Sequence, residues 1–280
     1  MPTAHNGDVE LYYETEGPSD RETVAFVEDV GYGAWQWGWQ HAAVAGPFES
    51  LVWDNRGTGR SDAPPSEPRR TDSGSETPGP YDVETMAADL EAVLSAHGAR
   101  KAHVVGAGLG GMVALQYALD HSRARTLTLL GTSPGGPRAR PTPTDVREQL
   151  LVSEKSRDEL RESLRPAMSE AFFAADPEEV VEWRLAEDAG PAAQRAQFAA
   201  MDAFDASDHL YEITVPALVL HGTADRVVPV ENGRSLVENL PRGELREFED
   251  GSHLFFLERS KDVNDELLGF LDEHAEQDLE

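Results

Sequence analysis

Two polar residues that lie far apart in the chain, Asp225 and His253, are of the types that work together as an acid and a base. Each follows a short apolar run that predicts a strand, residues 215–220 before Asp225 and residues 244–248 before His253. Because the carboxyl ends of parallel strands meet at one edge of a sheet, we expect the two side chains to lie close together. A carboxylate beside an imidazole fixes its tautomer and stabilises its charged form. The pair therefore predicts the basic half of an acyl-transfer site.

The nucleophile of such a site is expected in residues 101–121. An apolar run at 103–105 predicts a buried strand, six residues rich in glycine follow at 106–111, and an apolar helix is predicted from Met112 to Leu119. A strand, a glycine-rich turn and a helix form the context of the nucleophile elbow, G-x-S-x-G. The centre of this turn is Gly108, where that motif has a serine.

Gly108 has two interpretations, and the sequence favours neither. Glycine could relax a strained turn, since it tolerates positive φ without steric cost. Alternatively, the missing side chain leaves room for a water molecule that His253 deprotonates, which would give direct hydrolysis without a covalent intermediate. Ser61 and Ser133 also follow predicted strands, but neither lies in an elbow, so they are weak substitutes for the nucleophile.

The elements that would position these residues alternate between strands and helices. Apolar runs predict further strands at 9–14, 23–27, 50–53 and 126–130. A helix that begins after Asp82, a suitable N-cap, carries an apolar stripe and ends near Gly98. This alternation predicts an α/β fold with a mostly parallel sheet flanked by helices.

One segment interrupts the alternation. Residues 137–211 contain no strand signal, are acidic and helical in composition, and are divided by prolines. We interpret this segment as a helical cap, or lid, inserted into an α/β core formed by residues 1–136 and 212–280. Residues 63–80 are rich in proline, serine and glycine and predict a mobile loop.

The charge of the chain limits its partners. Asp and Glu number 52 against 24 Lys and Arg, which gives a formal net charge of −28 over 280 residues. An acid-rich, lysine-poor composition of this kind resembles proteins of halophilic organisms, although a basic partner is an alternative explanation. No continuous basic stretch could neutralise phosphates, so the sequence predicts that nucleic acid is not a partner.

The remaining composition argues for a cytoplasmic protein. The chain has no cysteine, which excludes disulfides and thiolate chemistry. No signal peptide and no apolar stretch long enough to span a bilayer is recognisable, so no membrane association is expected. The histidines other than His253 show no metal-ligand spacing, so neither a metal nor another cofactor is predicted. The oligomeric state is not predicted.

Together these motifs resemble the α/β-hydrolase superfamily, especially its small esterase, lactonase and haloperoxidase-like branch. The resemblance runs from about Val9 to Leu271 and is carried by residues 54–61, 106–111, 221–225 and 251–253. It implies an α/β-hydrolase fold with Asp225 as the acid and His253 as the base of a catalytic triad. It also implies that the oxyanion donors are the backbone N–H of Leu109 and an N–H after Val27, for which Val30 is expected.

A second departure from that family lies in the oxyanion loop, where Glu28 and Asp29 replace the usual His-Gly. If these carboxylates point inward they oppose developing negative charge, and if they point outward they hydrogen-bond to backbone. Glu28, Asp29 and Trp35 are the predicted substrate-binding residues. Trp35, Trp37 and Trp39 are expected to pack in the core, the alternative being that one of them lines the pocket.

Two functions of different classes follow. The first is hydrolysis of a small ester or lactone by a His253–Asp225 dyad that activates water without a serine. The second is a catalytically inactive protein that binds a small apolar ligand in the lidded pocket. Cofactor-free lyase chemistry on the same fold is a third alternative. In each case the partner is a small molecule.

Overall fold

The structure is a computed structural model that describes residues 2–65, 79–175 and 177–276. Most of the loop predicted at 63–80 lies outside these residues. Within the described ranges, no helix combines the length and the apolar character that crossing a membrane requires.

The core is one sheet of eight strands in the order β1-β2-β4-β3-β5-β6-β7-β8. The first two strands pair antiparallel, β2 also runs antiparallel to β4, and the other pairings are parallel. This confirms the predicted mostly parallel sheet; β1 was not predicted, because four residues are too few to show an alternating pattern. The strands are β1 Thr3–Asn6, β2 Val9–Glu16, β3 Thr23–Val27, β4 Glu49–Trp53, β5 Ala102–Ala107, β6 Ala124–Leu130, β7 Ala217–Gly222 and β8 Gly243–Phe248.

Helices flank this sheet, as predicted, and short 3-10 turns lie at Ala34–Trp37 and Leu210–Glu212. The α-helices are α1 Gly38–Val44, α2 Val83–His97, α3 Leu109–Asp120, α4 Thr144–Leu150, α5 Arg157–Ser163, α6 Glu170–Ala174, α7 Glu178–Glu187, α8 Pro191–Ala203, α9 Glu231–Asn239, α10 Phe255–Glu258 and α11 Ser260–His274.

Helix α2 shows how local sequence sets an element. Its predicted N-cap is confirmed, because the Asp82 carboxylate accepts a hydrogen bond from the Thr85 N–H at 2.7 Å. The helix ends at Gly98, whose φ of 89° lies in the left-handed region that favours glycine. Its apolar stripe is fully buried, which holds α2 against α3 and the antiparallel edge of the sheet.

Helices α4 to α8 all lie between β6 and β7. The boundaries of the inserted lid, residues 137–211, stay a prediction. Hydrogen bonds join this segment to the loop after β3: Ala189 N–H donates to the Gly31 carbonyl at 3.0 Å, and Gly31 N–H donates to Gln197 Oε1 at 2.7 Å. The other end of the Gln197 amide donates to the Arg56 carbonyl at 3.1 Å. These hydrogen bonds hold the inserted helices against the loops that follow β3 and β4.

The tryptophans of the first helical turn divide between core and surface. Trp37 is fully buried and stacks on Phe256 with ring centroids 5.1 Å apart, and Trp35 is buried as well. Trp39 is 38% exposed, so the expectation that it packs in the core was wrong. Trp37 and Trp39 lie two positions apart, and on a helical turn such neighbours do not share a face.

Candidate active site

The tight turn predicted between β5 and α3 is present, and Gly108 is its central residue. Gly108 has φ 47° and ψ −112°, a conformation that side chains rarely adopt. A Cβ on Gly106 would lie 2.2 Å from the Gly110 carbonyl oxygen, and one on Gly110 would lie 2.1 Å from the Val27 carbonyl oxygen. Only glycine at these two positions lets the turn close against β3.

Asp225 and His253 meet as the order of the strands predicts. They follow the adjacent strands β7 and β8, and His253 Nδ1 lies 2.8 Å from Asp225 Oδ2. The other oxygen, Asp225 Oδ1, accepts the N–H groups of Val227 and Val228 at 2.8 Å each. His221 Nε2 lies 3.4 Å from Asp225 Oδ2. The carboxylate is held from several sides, and this fixes the imidazole that it supports.

The side chain of Asp29 points into the site, where it contacts both His253 and the backbone N–H groups beside the elbow turn. Asp29 Oδ2 lies 2.8 Å from His253 Nε2. Asp29 Oδ1 accepts the N–H of Val30 at 2.6 Å and that of Leu109 at 2.8 Å. These are the two N–H groups expected to face an oxyanion, and here they bind a carboxylate oxygen of the chain itself.

The space expected for a water molecule beside Gly108 is therefore filled. A Cβ built on Gly108 would lie 1.8 Å from Asp29 Oδ1 and 2.2 Å from the carboxylate carbon. The Asp29 carboxylate thus occupies the volume in which a side chain at position 108 would lie. In this structure the volume that the interpretation assigns to a water molecule holds the Asp29 side chain, which the neighbouring loop supplies.

The charges of the three residues stabilise one another. Burial would lower the pKa of His253, but the charges and hydrogen bonds of Asp225 and Asp29 outweigh it and raise that pKa to about 10. Burial would raise the pKa of Asp225, but the charge of His253 and the hydrogen bond from His221 lower it to about 2. With a pKa of about 10, His253 carries a proton at neutral pH and is not a free base.

Glu28 and Trp35 do not join this cluster. Glu28 Oε2 accepts the Asn55 N–H at 2.9 Å and the Thr58 hydroxyl at 3.0 Å, and burial raises the pKa of Glu28 well above its usual range. The indole N–H of Trp35 donates to Asp188 Oδ1 at 2.7 Å. Of the three predicted substrate-binding residues, only Asp29 contacts His253. Glu28 therefore faces Asn55 and Thr58, whereas Asp29, the next residue of the same loop, faces His253.

The two serines considered as substitutes have other partners. The Ser61 hydroxyl donates to the Asp54 carbonyl at 2.6 Å and accepts the Tyr12 N–H at 2.9 Å. The Ser133 hydroxyl accepts the Gly135 N–H at 3.1 Å. Neither shares a hydrogen bond with His253, so neither is positioned by it.

The acid, the base and Asp29 are closed off from solvent. Asp29 is 1% exposed and His253 is 2% exposed. A hollow of about 140 Å³ lies between the first turn of α3 and the inserted helices, and its lining includes Met112, Phe204 and Val228. It approaches the site through Val228, whose N–H binds Asp225. In the described part of the chain, no group of three or more histidine, aspartate and glutamate side chains could hold a metal ion.

Sequence reasoning missed Gln197 and His221 as supports of the site. Gln197 fixes the loop that carries Asp29, and His221 touches Asp225. Neither has a local sequence signal, since each acts through a contact with a distant residue. The position of Asp29 did leave a signal in the sequence. The elbow has Gly108 where its motif has a serine, and the oxyanion loop has the carboxylate of Asp29 where the family usually has no acidic residue.

The comparisons with known proteins agree with this geometry at the level of the fold and the class of enzyme. Residues 32–260 match the family described as alpha/beta hydrolase fold. Two proteins named "Putative carbamate hydrolase RutD" are similar: that of Azorhizobium caulinodans is 29% identical and covers 98% of this chain and 99% of its own length, and that of Variovorax paradoxus is 32% identical with 93% and 96% covered. The solved structure described as "Est816 as an N-Acyl homoserine lactone degrading enzyme" is 27% identical, has a TM-score of 0.77, and is matched over 96% of this chain and 100% of its own.

Proposed function

From the premise that this chain belongs to the alpha/beta hydrolase family and is a hydrolase-type enzyme, we propose that its nucleophile is the Asp29 carboxylate. The observation that carries the proposal is the bonding of that carboxylate, with Oδ1 on the N–H groups of Val30 and Leu109 and Oδ2 on His253 Nε2. A carboxylate is an established nucleophile in enzymes, and here it is hydrogen-bonded to the protonated His253, which Asp225 orients.

The bonding of Oδ1 selects the class of substrate. Acyl transfer needs the backbone donors free for the carbonyl oxygen of the substrate, where negative charge develops. In this site both donors already bind Asp29 Oδ1. Attack on a saturated carbon makes no such demand, because no oxyanion forms on the substrate. We therefore infer a small substrate whose leaving group departs as an anion from a saturated carbon, such as an alkyl halide.

The first step forms an ester on the enzyme. Asp29 Oδ2 donates an electron pair to the saturated carbon, the bond from that carbon to the leaving group breaks, and the leaving group departs with its electron pair. The product is an alkyl ester of Asp29. This esterification removes the negative charge of Asp29, one of the two carboxylate charges that raise the pKa of His253. The pKa of His253 then falls, and the imidazolium releases its proton to solvent.

The second step hydrolyses that ester. Neutral His253 accepts a proton from water, and the hydroxide oxygen attacks the carboxyl carbon of Asp29. The oxyanion of the tetrahedral intermediate forms on Oδ1, which the N–H groups of Val30 and Leu109 already bind. Collapse breaks the bond from the carboxyl carbon to the alkoxide oxygen, and His253 gives its proton to that oxygen, which leaves as the alcohol. The new carboxylic acid of Asp29 then loses its proton to His253, which restores the carboxylate and the imidazolium. In sum, one alkyl halide and one water give one alcohol, one halide ion and one proton.

The second candidate function is hydrolysis of a small ester, lactone or carbamate, and the names of the relatives favour it. It requires Asp29 to leave the backbone donors when substrate binds. His253 would then lose one of its two carboxylates and act as a base on water with Asp225 behind it, the dyad expected from the sequence. This candidate makes Asp29 an obstacle that must move, whereas the first makes it the reactive group.

Trapping of the ester tests the first candidate. His253→Gln removes the base of the second step but keeps a hydrogen-bond donor near Oδ2, so 1-bromobutane should add one butyl group to the peptide containing Asp29. The matched control is the double variant Asp29→Asn with His253→Gln, which should gain no butyl group on that peptide. Intact-mass and peptide mass spectrometry measure both, in dilute and in molar salt.

Turnover of p-nitrophenyl acetate and of a small lactone distinguishes the second candidate. If Asp29 only obstructs, Asp29→Gly should hydrolyse these acyl compounds faster than the natural chain does, and no butyl adduct should form in His253→Gln. That pair of results would replace the first candidate by the second. No adduct and no turnover of either class would overturn both and leave the binding of an apolar ligand.

A further inference from the structure

A second hollow lies on the surface beside the inserted helix α7, and its walls are aromatic and acidic. It has a volume of about 570 Å³ and is lined by Trp35, Gly38, Trp39, Ala42, Glu179, Trp183 and Glu187. Three of the five tryptophans in the chain therefore meet at one surface feature. The hollow shares no lining residue with the Asp29–His253–Asp225 cluster.

The three rings form two walls set at an angle. Trp183 stacks against Trp35 with centroids 6.5 Å apart and planes 30° apart. Trp39 meets Trp183 edge-on, at 5.7 Å and 70°. A corner of indole faces presents the electron-rich surfaces to which a cation is attracted. Such a corner also binds uncharged apolar groups, so the charge of the lining decides whether a cation or an uncharged ligand is preferred.

The lining carries two acidic residues: the charges of Arg60 and Lys155 act on Glu187, whereas Glu179 lies away from them. Glu179, Trp183 and Glu187 are spaced four residues apart on α7, so they share one helix face. Glu179 is exposed and forms no ion pair with any described residue. The nearby Arg184 points inward, where its Nε lies 2.6 Å from Asp188. None of the described residues that line the hollow is basic.

The geometry points to a binding site for a small organic cation of the quaternary ammonium class, with its methyl groups against Trp183 and Trp39 and its charge near Glu179. A quaternary ammonium has an apolar surface that an indole corner can cover, and it has no N–H groups that would need hydrogen-bond partners. Both features fit a lining of indole faces and carboxylates.

The five indole N–H signals of the 15N-labelled protein provide the measurement, with tetramethylammonium chloride as the probe. We expect the signals of Trp35, Trp39 and Trp183 to shift and to saturate with one common Kd. The signals of Trp37 and Trp53, which do not line the hollow, serve as internal controls. Sodium chloride at equal ionic strength should leave all five signals where they are.

Two matched variants test the charge and the ring. Glu179→Gln should weaken binding about threefold to fivefold, the loss expected for an exposed charge pair. Glu182→Gln removes the same charge from the same helix, away from the hollow, and should leave Kd unchanged. Trp183→Leu should abolish the saturable shifts of the Trp35 and Trp39 signals, while the unchanged Trp37 and Trp53 signals show that the fold is retained.

Three results would overturn the assignment. Equal affinity for choline and for 3,3-dimethylbutan-1-ol, its uncharged carbon analogue, would make the hollow a general apolar site. Equal weakening by Glu179→Gln and Glu182→Gln would reduce the effect to the net charge of the protein. Shifts of all five signals without saturation would show that the probe does not bind at this hollow.

Discussion

The two halves of the candidate site are built in different ways. In the basic half, Asp225 and His253 follow adjacent parallel strands and meet at 2.8 Å. In the other half, the elbow turn after β5 contributes only backbone, and the side chain that fills it comes from the loop after β3. The first half depends on the order of strands, and the second depends on which of two neighbouring loops supplies a side chain.

This difference shows that the residue type at one position can depend on a side chain from a distant part of the sequence that fills the space beside it. A Cβ at position 108 and the carboxylate of Asp29 cannot occupy the same space, since Asp29 Oδ1 would lie 1.8 Å from that Cβ. Gly108 and Asp29 therefore form one structural unit, although 78 residues separate them in the printed sequence. His253 bonds to the carboxylate as it would to a hydroxyl on the elbow.

The largest expected effect is on turnover, and it distinguishes the chemical role of Asp29 from that of Asp225. Asp29→Asn should lower turnover of an alkyl halide by about 10⁴-fold or more, because it removes the nucleophile, and it should form no ester. Asp225→Asn should also lower turnover, but it should still form the butyl ester of Asp29, since it impairs only the second step. Halide release and adduct mass, measured in a single turnover, distinguish the two variants.

The Asp29→Asn side chain has nearly the same shape as the natural one, so the two proteins differ in charge and chemistry more than in packing. The amide oxygen can still accept the N–H groups of Val30 and Leu109, and the amide N–H can donate to neutral His253. A loss of turnover should therefore not come with loss of the fold. Equal adduct formation in Asp29→Asn and the natural chain would show that the nucleophile lies elsewhere.

The sequence contained enough to predict the basic half and the fold. Apolar strands alternating with helices determine a parallel sheet, and the loops after its last two strands carry Asp225 and His253. The same reasoning could not decide whether Glu28 or Asp29 points inward, because backbone pattern does not set the direction of a side chain in a loop. It also could not show that Trp39 is exposed, since the face it presents depends on how α1 packs against α11.

The next effect in size is on stability, and it tests whether Gly108 and Asp29 are one unit. Gly108→Ser alone should destabilise the protein by about 1–3 kcal/mol, because the new side chain overlaps the Asp29 carboxylate. Asp29→Gly combined with Gly108→Ser should lose less stability than the sum of the two single variants, since the overlap is gone. Thermal unfolding of the natural chain, both single variants and the double variant gives the coupling energy.

The double variant also has a chemical outcome. It would present a serine hydroxyl to His253 and leave the N–H groups of Val30 and Leu109 free for an oxyanion. Hydrolysis of p-nitrophenyl acetate should then appear in the double variant and be absent from Gly108→Ser alone. Independent, additive effects of the two changes on stability would show that positions 108 and 29 do not share one space.

The smallest expected effect is the dependence of stability on pH, which reports the charge pairing between the halves. The pKa of His253 is raised from 6.5 to about 10 in the folded protein, so its contribution is complete below pH 6.5 and is lost as pH rises through 10. The pKa of Asp225 is lowered from 3.8 to about 2, so its contribution is present above pH 3.8 and is lost as pH falls through 2. Stability from the cluster should therefore be greatest between pH 3.8 and 6.5.

Asp29→Asn isolates the part of this pH dependence that comes from the pairing of Asp29 with His253. Removing one carboxylate lowers the pKa of His253 and so removes part of the stability that the natural chain loses between pH 6.5 and 10. The difference in Tm between the natural chain and Asp29→Asn should be a few degrees near pH 6, in favour of the natural chain, and should shrink as pH approaches 10. Lysine and tyrosine side chains titrate in the same range, but they do so in both proteins and cancel in the difference. Parallel Tm curves would mean that Asp29 does not contribute to the charge pairing of His253, which would leave Asp225 as the carboxylate that pairs with it.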